Sequence, residues 1–242
     1  MAIKRLDLAT GEVSVLIERS NGANGMTLAP DGRLLVCEQG TPDERAALAL
    51  IDRRTGEREV VLDAFGGRPL NSPNDVVVRG DGTIWFTDPS YGHLQGFKPA
   101  PELSEAVYCH DPRSGGTRVV ADAFEKPNGI CFAPGERVLY VSDTGSGGVT
   151  AFDVDAAGRV SGERSFAVGE PGFPDGLKTD ADGRVYGSAR SGVQVFDRDG
   201  ELVDEIPVPG AVNFCFGGPG RDVLFITTDT AVWAAVLNAK GA

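Results

Sequence analysis

Asn71–Gly92 reads NSPNDVVVRGDGTIWFTDPSYG. Val76, Val77 and Val78 form an apolar β-branched run, Arg79-Gly80-Asp81-Gly82 carries turn chemistry, and Thr83–Thr87 reads as a second strand. Asp-Gly between two apolar runs is among the strongest short-range signals for a β-hairpin. Oxygen-bearing side chains flank both open ends: Asn71, Ser72, Asn74 and Asp75 on the way in, Thr87 and Asp88 on the way out. A hairpin sets its open ends side by side, so these groups converge.

The same pattern recurs along the chain. Asn24, Asn74, Asn128, Asp175 and Asn213 each lead into a short apolar strand, a turn and a second strand, at separations of 50, 54, 47 and 38 residues. Between these hairpins lie further strand pairs: Leu48–Asp52 with Val60–Leu62, Ala106–His110 with Arg118–Val120, Gly148–Val154 with Arg164–Val168, and Val193–Asp197 with Leu202–Ile206. A period of this length with four short strands per repeat indicates a β-propeller. The expected fold is therefore all-β, with five recognisable four-stranded blades in a single domain over residues 1–242. Residues 1–19 form either the remnant outer strands of a first blade or a hairpin that closes the ring. The C-terminal repeat yields three strands, within 213–237. Innermost strands line a propeller's channel, so the five anchors are expected to point at one axial spot. Asn-Gly and Asp-Gly also suit the turn into a strand by themselves.

The 33 glycines and 15 prolines speak against a helical protein. A net charge of −12 disfavours nucleic acid and anionic membrane surfaces as partners. Cys37, Cys109, Cys131 and Cys215 show no metal-ligand spacing and are expected to be reduced core thiols. Trp85, Phe86 and Trp233 are expected in the core. No signal peptide is evident and no apolar run is long enough to span a bilayer, so a cytoplasmic monomer or weak homo-oligomer is expected.

Three motifs, NSPNDVVVRGDGTIWFTDPSYG, EKPNGICFAPGERVLYVSDTG and GFPDGLKTDADGRVY, resemble the gluconolactonase/regucalcin (senescence marker protein) family. The resemblance implies a six-bladed propeller of the gluconolactonase type with an incomplete N-terminal blade. It also implies one divalent cation, Ca²⁺ foremost, with Mg²⁺, Mn²⁺ or Zn²⁺ as alternatives. Carried over motif by motif, the cation's ligands are Asn128 of PNG, Asp175 of PDG and Asn74 of SPND, with Asn74 also touching substrate. The family's glutamate, in an E-G-P sequence of blade one, has no counterpart here, and the chain is expected to begin after that point. Glu38 is a candidate substitute; Asp88 and Asp143 occupy corresponding places and are expected to accept hydrogen bonds from loop amides.

The implied activity is metal-dependent hydrolysis of a sugar lactone or similar cyclic ester, the cation acting as Lewis acid. Asp175 is the candidate catalytic base, and His93, in the loop after the signature hairpin, is a candidate substrate-binding residue at the rim. His110, at an outer turn, is discounted. The competing expectation is a catalytically impaired small-molecule-binding propeller, because one of two carboxylate ligands is missing.

Overall fold

The computed structural model describes residues 1–168 and 174–242, so Gly172 and Phe173 of the GFPDG motif lie outside the described residues. The chain divides into two compact units, Met1–Asp122 and Ala123–Ala242. Unit 1 opens with a hairpin, β1 (Ile3–Leu6) and β2 (Val13–Ile17). Blade I follows as β3 (Ala23–Leu28), β4 (Leu34–Glu38), β5 (Ala47–Ile51) and β6 (Arg58–Leu62). A two-residue-per-strand hairpin, β7 (Ala64–Phe65) and β8 (Arg68–Pro69), leads to blade II. This blade comprises β9 (Val76–Val78), β10 (Ile84–Asp88), β11 (Ala106–Asp111) and β12 (Gly116–Ala121), with the short helix α1 (Tyr91–Leu94) after β10.

Unit 2 holds three blades. Blade III is β13 (Pro127–Phe132), β14 (Val138–Asp143), β15 (Gly148–Val154) and β16 (Val160–Val168). Blade IV is β17 (Leu177–Thr179), β18 (Val185–Ser188), β19 (Val193–Phe196) and β20 (Leu202–Ile206), and blade V is β21 (Asn213–Gly217), β22 (Val223–Thr227) and β23 (Val232–Val236). In all five sheets the strands pair antiparallel in chain order, the up-and-down connectivity of a propeller blade.

The opening hairpin forms as its sequence directs. Val76, Val77 and Val78 pair with Phe86, Trp85 and Ile84. Gly82, at φ 87°, closes the turn by donating to the Arg79 carbonyl at 2.8 Å. Burial then falls outward across each blade. Second strands such as β10 and β14 are buried on both faces, whereas outer strands such as β6, β12 and β20 are largely exposed. Sheets stacked face to face bury both sides of their central strands, which is why those strands read as continuous apolar runs. Phe86, Tyr108, Leu35 and Leu48 belong to one such core in unit 1, with the Phe86 and Tyr108 rings stacked at 5.3 Å. Full burial of side chains of this size contributes roughly 1.5–3 kcal/mol each.

The β1–β2 strands pair with each other and with no other strand among the described residues. They behave as a self-contained outer pair, with Ile3, Leu16 and Ile17 packed on Val36 and Ile51 of blade I. Two core expectations are corrected. Trp233 is 54% exposed and Cys215 is exposed, because β21 and β23 belong to a three-stranded sheet with one open face. Cys37, Cys109 and Cys131 are buried, free thiols as expected, and Trp85 and Phe86 are fully buried.

Candidate functional site

The anchor residues do more than make turns. Ladder register shifts between Ala23 and Met26, and between Pro127 and Ile130, so a β-bulge falls on Asn24-Gly25 and on Asn128-Gly129. Bulges re-aim side chains near sites. The glycine after the anchor is then required by close approach, since Gly25, Gly129 and Gly176 do not have positive φ. Each donates its N–H to the next blade's innermost segment: Gly25 to Asn74 O at 2.7 Å, Gly129 to Asp175 O at 2.9 Å, and Gly176 to Val212 O at 3.0 Å. A methyl group on any of the three would overlap that neighbouring segment.

In unit 1 these contacts hold Asn74 firmly by its backbone. Its N–H donates to Thr87 O at 2.9 Å and its carbonyl accepts from Gly25. The residue is buried, yet its side-chain amide makes no hydrogen bond among the described residues. The segment Leu70–Ser72, just before it, is clamped from two sides. Asp88 accepts the N–H groups of Asn71 and Ser72 at 2.8 and 2.7 Å, while Lys98 Nζ donates to the carbonyls of Leu70, at 3.2 Å, and Asn71. Burial pushes the Asp88 carboxyl up to about 7, against the opposing pull of the Asn71 and Ser72 amides and the Lys98 charge. Burial also pulls the Lys98 ammonium below its ordinary value, opposed by Asp88. Gly92 is needed beside them, because a side chain there would strike the Lys98 stem and Ser72 Oγ.

His93 is exposed in α1 and lines a cavity of about 410 Å³ that also touches Ser72 and Lys98. His110 is buried, bonded through Nδ1 to Thr117 Oγ1 at 2.9 Å, and held below its ordinary pKa by that burial. Lys98 was not legible as a site residue. The one signal is that it is the sole basic side chain in the run Gln95–Leu103, which connects strands ending in Asp88 and starting near Glu105.

Unit 2 brings Asn128 and Asp175 onto neighbouring innermost segments. Asn128 Nδ2 donates to Thr144 Oγ1 at 2.9 Å, and Thr144 Oγ1 donates to Pro174 O at 3.3 Å. Ser142 Oγ donates to Asp175 O at 2.8 Å, and the Asp175 N–H donates to Ser188 Oγ at 3.0 Å. Thus Thr87, Ser142 and Ser188, near the end of the second strand in blades II, III and IV, present hydroxyls that bond the anchor segments.

The carboxylates that follow Thr87 and Ser142, Asp88 and Asp143, are structural. Asp143 accepts from the Glu125, Lys126 and Gly145 amides at 3.0, 2.7 and 2.9 Å, matching the arrangement at Asp88. Glu38, the candidate substitute ligand, is 0% exposed, and the Arg58 guanidinium bonds both its oxygens at 2.9 and 2.5 Å. Asn21 Nδ2 adds a bond at 3.2 Å. A cation placed there would meet a guanidinium already seated on the carboxylate.

The residues carried over for a divalent cation suit a hard ion in type. With its nitrogen committed to Thr144, the Asn128 amide turns its oxygen end the other way; Asn74 offers an uncommitted amide and Asp175 a carboxylate. Hard cations take oxygen ligands of this kind. The set carries one negative charge, and no cluster of three or more His, Cys, Asp or Glu side chains suited to a metal occurs among the described residues.

Comparison with known proteins agrees with this architecture. A gluconolactonase of Zymomonas mobilis is 33% identical over 224 residues, covering 86% of this chain and 61% of that protein. Lactonohydrolase oryL of Aspergillus oryzae is 28% identical over 207 residues, covering 75% of this chain and 48% of that protein. The chain thus spans about half to three-fifths of the length of these curated relatives. The solved gluconolactonase of Xanthomonas campestris superposes with a TM-score of 0.88 at 36% identity, covering 100% of this chain and 79% of that one. The SMP-30/Gluconolactonase/LRE-like region matches residues 1–230, and this chain, an all-β propeller of the gluconolactonase type, belongs to that family.

Proposed function

We propose that this chain binds a small cyclic ester, a sugar lactone foremost, and hydrolyses it weakly. The observation that carries this reading is the state of Glu38: this acidic side chain, the candidate substitute for the glutamate that the family resemblance implies, is buried under Arg58. Asn74, Asn128 and Asp175 would hold the divalent cation, Ca²⁺ by preference, with Asp175 as the single charged ligand. Affinity follows the number of charged ligands, so the cation binds weakly. When bound, the cation supplies Lewis-acid polarisation of the lactone carbonyl.

The protein's own groups do the rest. Asn74, fixed by its backbone and free at its amide, orients substrate oxygens. Asp175 accepts the proton of the attacking water, and His93 contacts substrate at the rim. The protein acts as a cytoplasmic monomer or weak homo-oligomer whose partner is the small molecule. The second reading, a fully active metal-dependent lactonase, is favoured by the presence of all three motif residues and by similarity to gluconolactonases.

The test is calorimetric titration with D-glucono-1,5-lactam, which keeps the ring and resists hydrolysis. Binding is expected, weakened at least about tenfold by Asn74→Ala, a loss of roughly 1.4 kcal/mol. Lack of binding by the wild-type chain would remove the proposal.

A further inference from the structure

The cavity in unit 1 has an apolar part that does not suit a polyol. That part is formed by Pro42, Pro69, Leu70, Phe97, Pro99 and Pro101, from the 41–46, 69–72 and 97–102 segments. Sugar hydroxyls pressed against such walls lose water without gaining hydrogen bonds, whereas alkyl groups gain about 0.8 kcal/mol per buried CH₂. The prolines add rigidity, so little ordering cost attends binding. A cavity of about 410 Å³ is of small-ligand size.

The rest of the lining is polar, with the charged Asp43, Glu44, Arg45 and Glu102 on one part and Ser72, His93 and Lys98 on another. Ser72 stands two residues from Asn74, so the cavity lies within about 7 Å of chain from that residue. Lys98 Nζ spends two donors on the Leu70 and Asn71 carbonyls and forms no ion pair among the described residues, which leaves a third N–H for a ligand oxygen.

We infer that this cavity receives an alkyl or aryl substituent carried by the cyclic ester, so that the substrate class includes alkyl-substituted lactones. This rests on the lactone reading above. The apolar substituent lies along the proline and Phe97 walls, and the ring oxygens reach Lys98 and the Asn74 segment.

Calorimetric titration with two lactams tests it: piperidin-2-one and its 6-pentyl derivative, the hydrolysis-resistant counterparts of δ-valerolactone and δ-decanolactone. The pentyl compound is expected to bind at least about tenfold more tightly. Ala100→Trp, which fills the cavity, is expected to bring that ratio to within about twofold of one. Phe97→Asn, which opens a wall without adding bulk, is expected to lower the ratio as well. Equal binding of the two compounds by the wild type, or a preference that both folded variants retain, overturns the inference. Parallel assays with the two lactones separate the readings. A pentyl preference without hydrolysis leaves the cavity assignment standing and counts against activity. Hydrolysis with no pentyl preference counts against the cavity assignment alone.

Discussion

At the scale of single residues, the site rests on glycines whose role is proximity. Gly129→Ala would drive a methyl into the Asp175 carbonyl and break the bond that links blades III and IV. Overpacking together with a lost hydrogen bond is expected to cost about 2–4 kcal/mol, read from the urea midpoint. Gly135→Ala serves as the contrast, since Gly135 has φ 81° and open space around it. Its cost is the backbone strain alone, about 1 kcal/mol. Asn-Gly was legible in the sequence as a motif, but its reason was not. Periodicity reports which residues repeat, and a close contact between distant segments has no local signature.

Asp88 also belongs at this scale. Its carboxyl is raised to about 7 by burial, so folding favours the protonated form. Its contribution is fully present below about pH 4, the ordinary Asp value, and is lost as pH rises toward about 7. Asp88→Asn is expected to flatten the stability profile across that window by up to about 1.4 kcal/mol per pH unit, measured by urea unfolding from pH 4 to 8. A profile unchanged by the substitution would show that this carboxyl does not titrate there.

At the scale of elements, strand assignment came readily from sequence. The expected strand Gly148–Val154 is β15 with the same bounds, and the three strands expected within 213–237 are β21 to β23. Alternating and continuous apolar runs between Gly-rich turns explain that success. The β7–β8 hairpin and α1 were missed because segments of two to four residues have too few positions to show a period. Trp233 was misread because an apolar strand looks the same whether or not another sheet covers it. Acrylamide is expected to quench Trp233 readily and to leave Trp85, which is fully buried, protected. β23 has no charged residue and leaves Val232, Trp233 and Val236 exposed. Val236→Lys is therefore expected to raise solubility, with stability changed by no more than about 0.5 kcal/mol. Light scattering and unfolding curves check the two halves of that statement.

At the scale of the whole molecule, the family was legible from three motifs, and the candidate ligands Asn74, Asn128 and Asp175 came with it. The fate of Glu38 was not. A glutamate at the end of a second strand looks available in sequence; only the fold seats Arg58 from the outer strand β6 upon it. That ion pair takes Glu38 out of the set of carboxylates available to a cation. The most direct measurement is a calorimetric Ca²⁺ titration of the wild type, Glu38→Gln and Asp175→Asn. Wild-type half-saturation is expected at or above about 0.1 mM, in the range of sites with few charged ligands. Glu38→Gln should leave it within about twofold, and Asp175→Asn should weaken it at least tenfold. Submicromolar binding that disappears in Glu38→Gln would contradict the account.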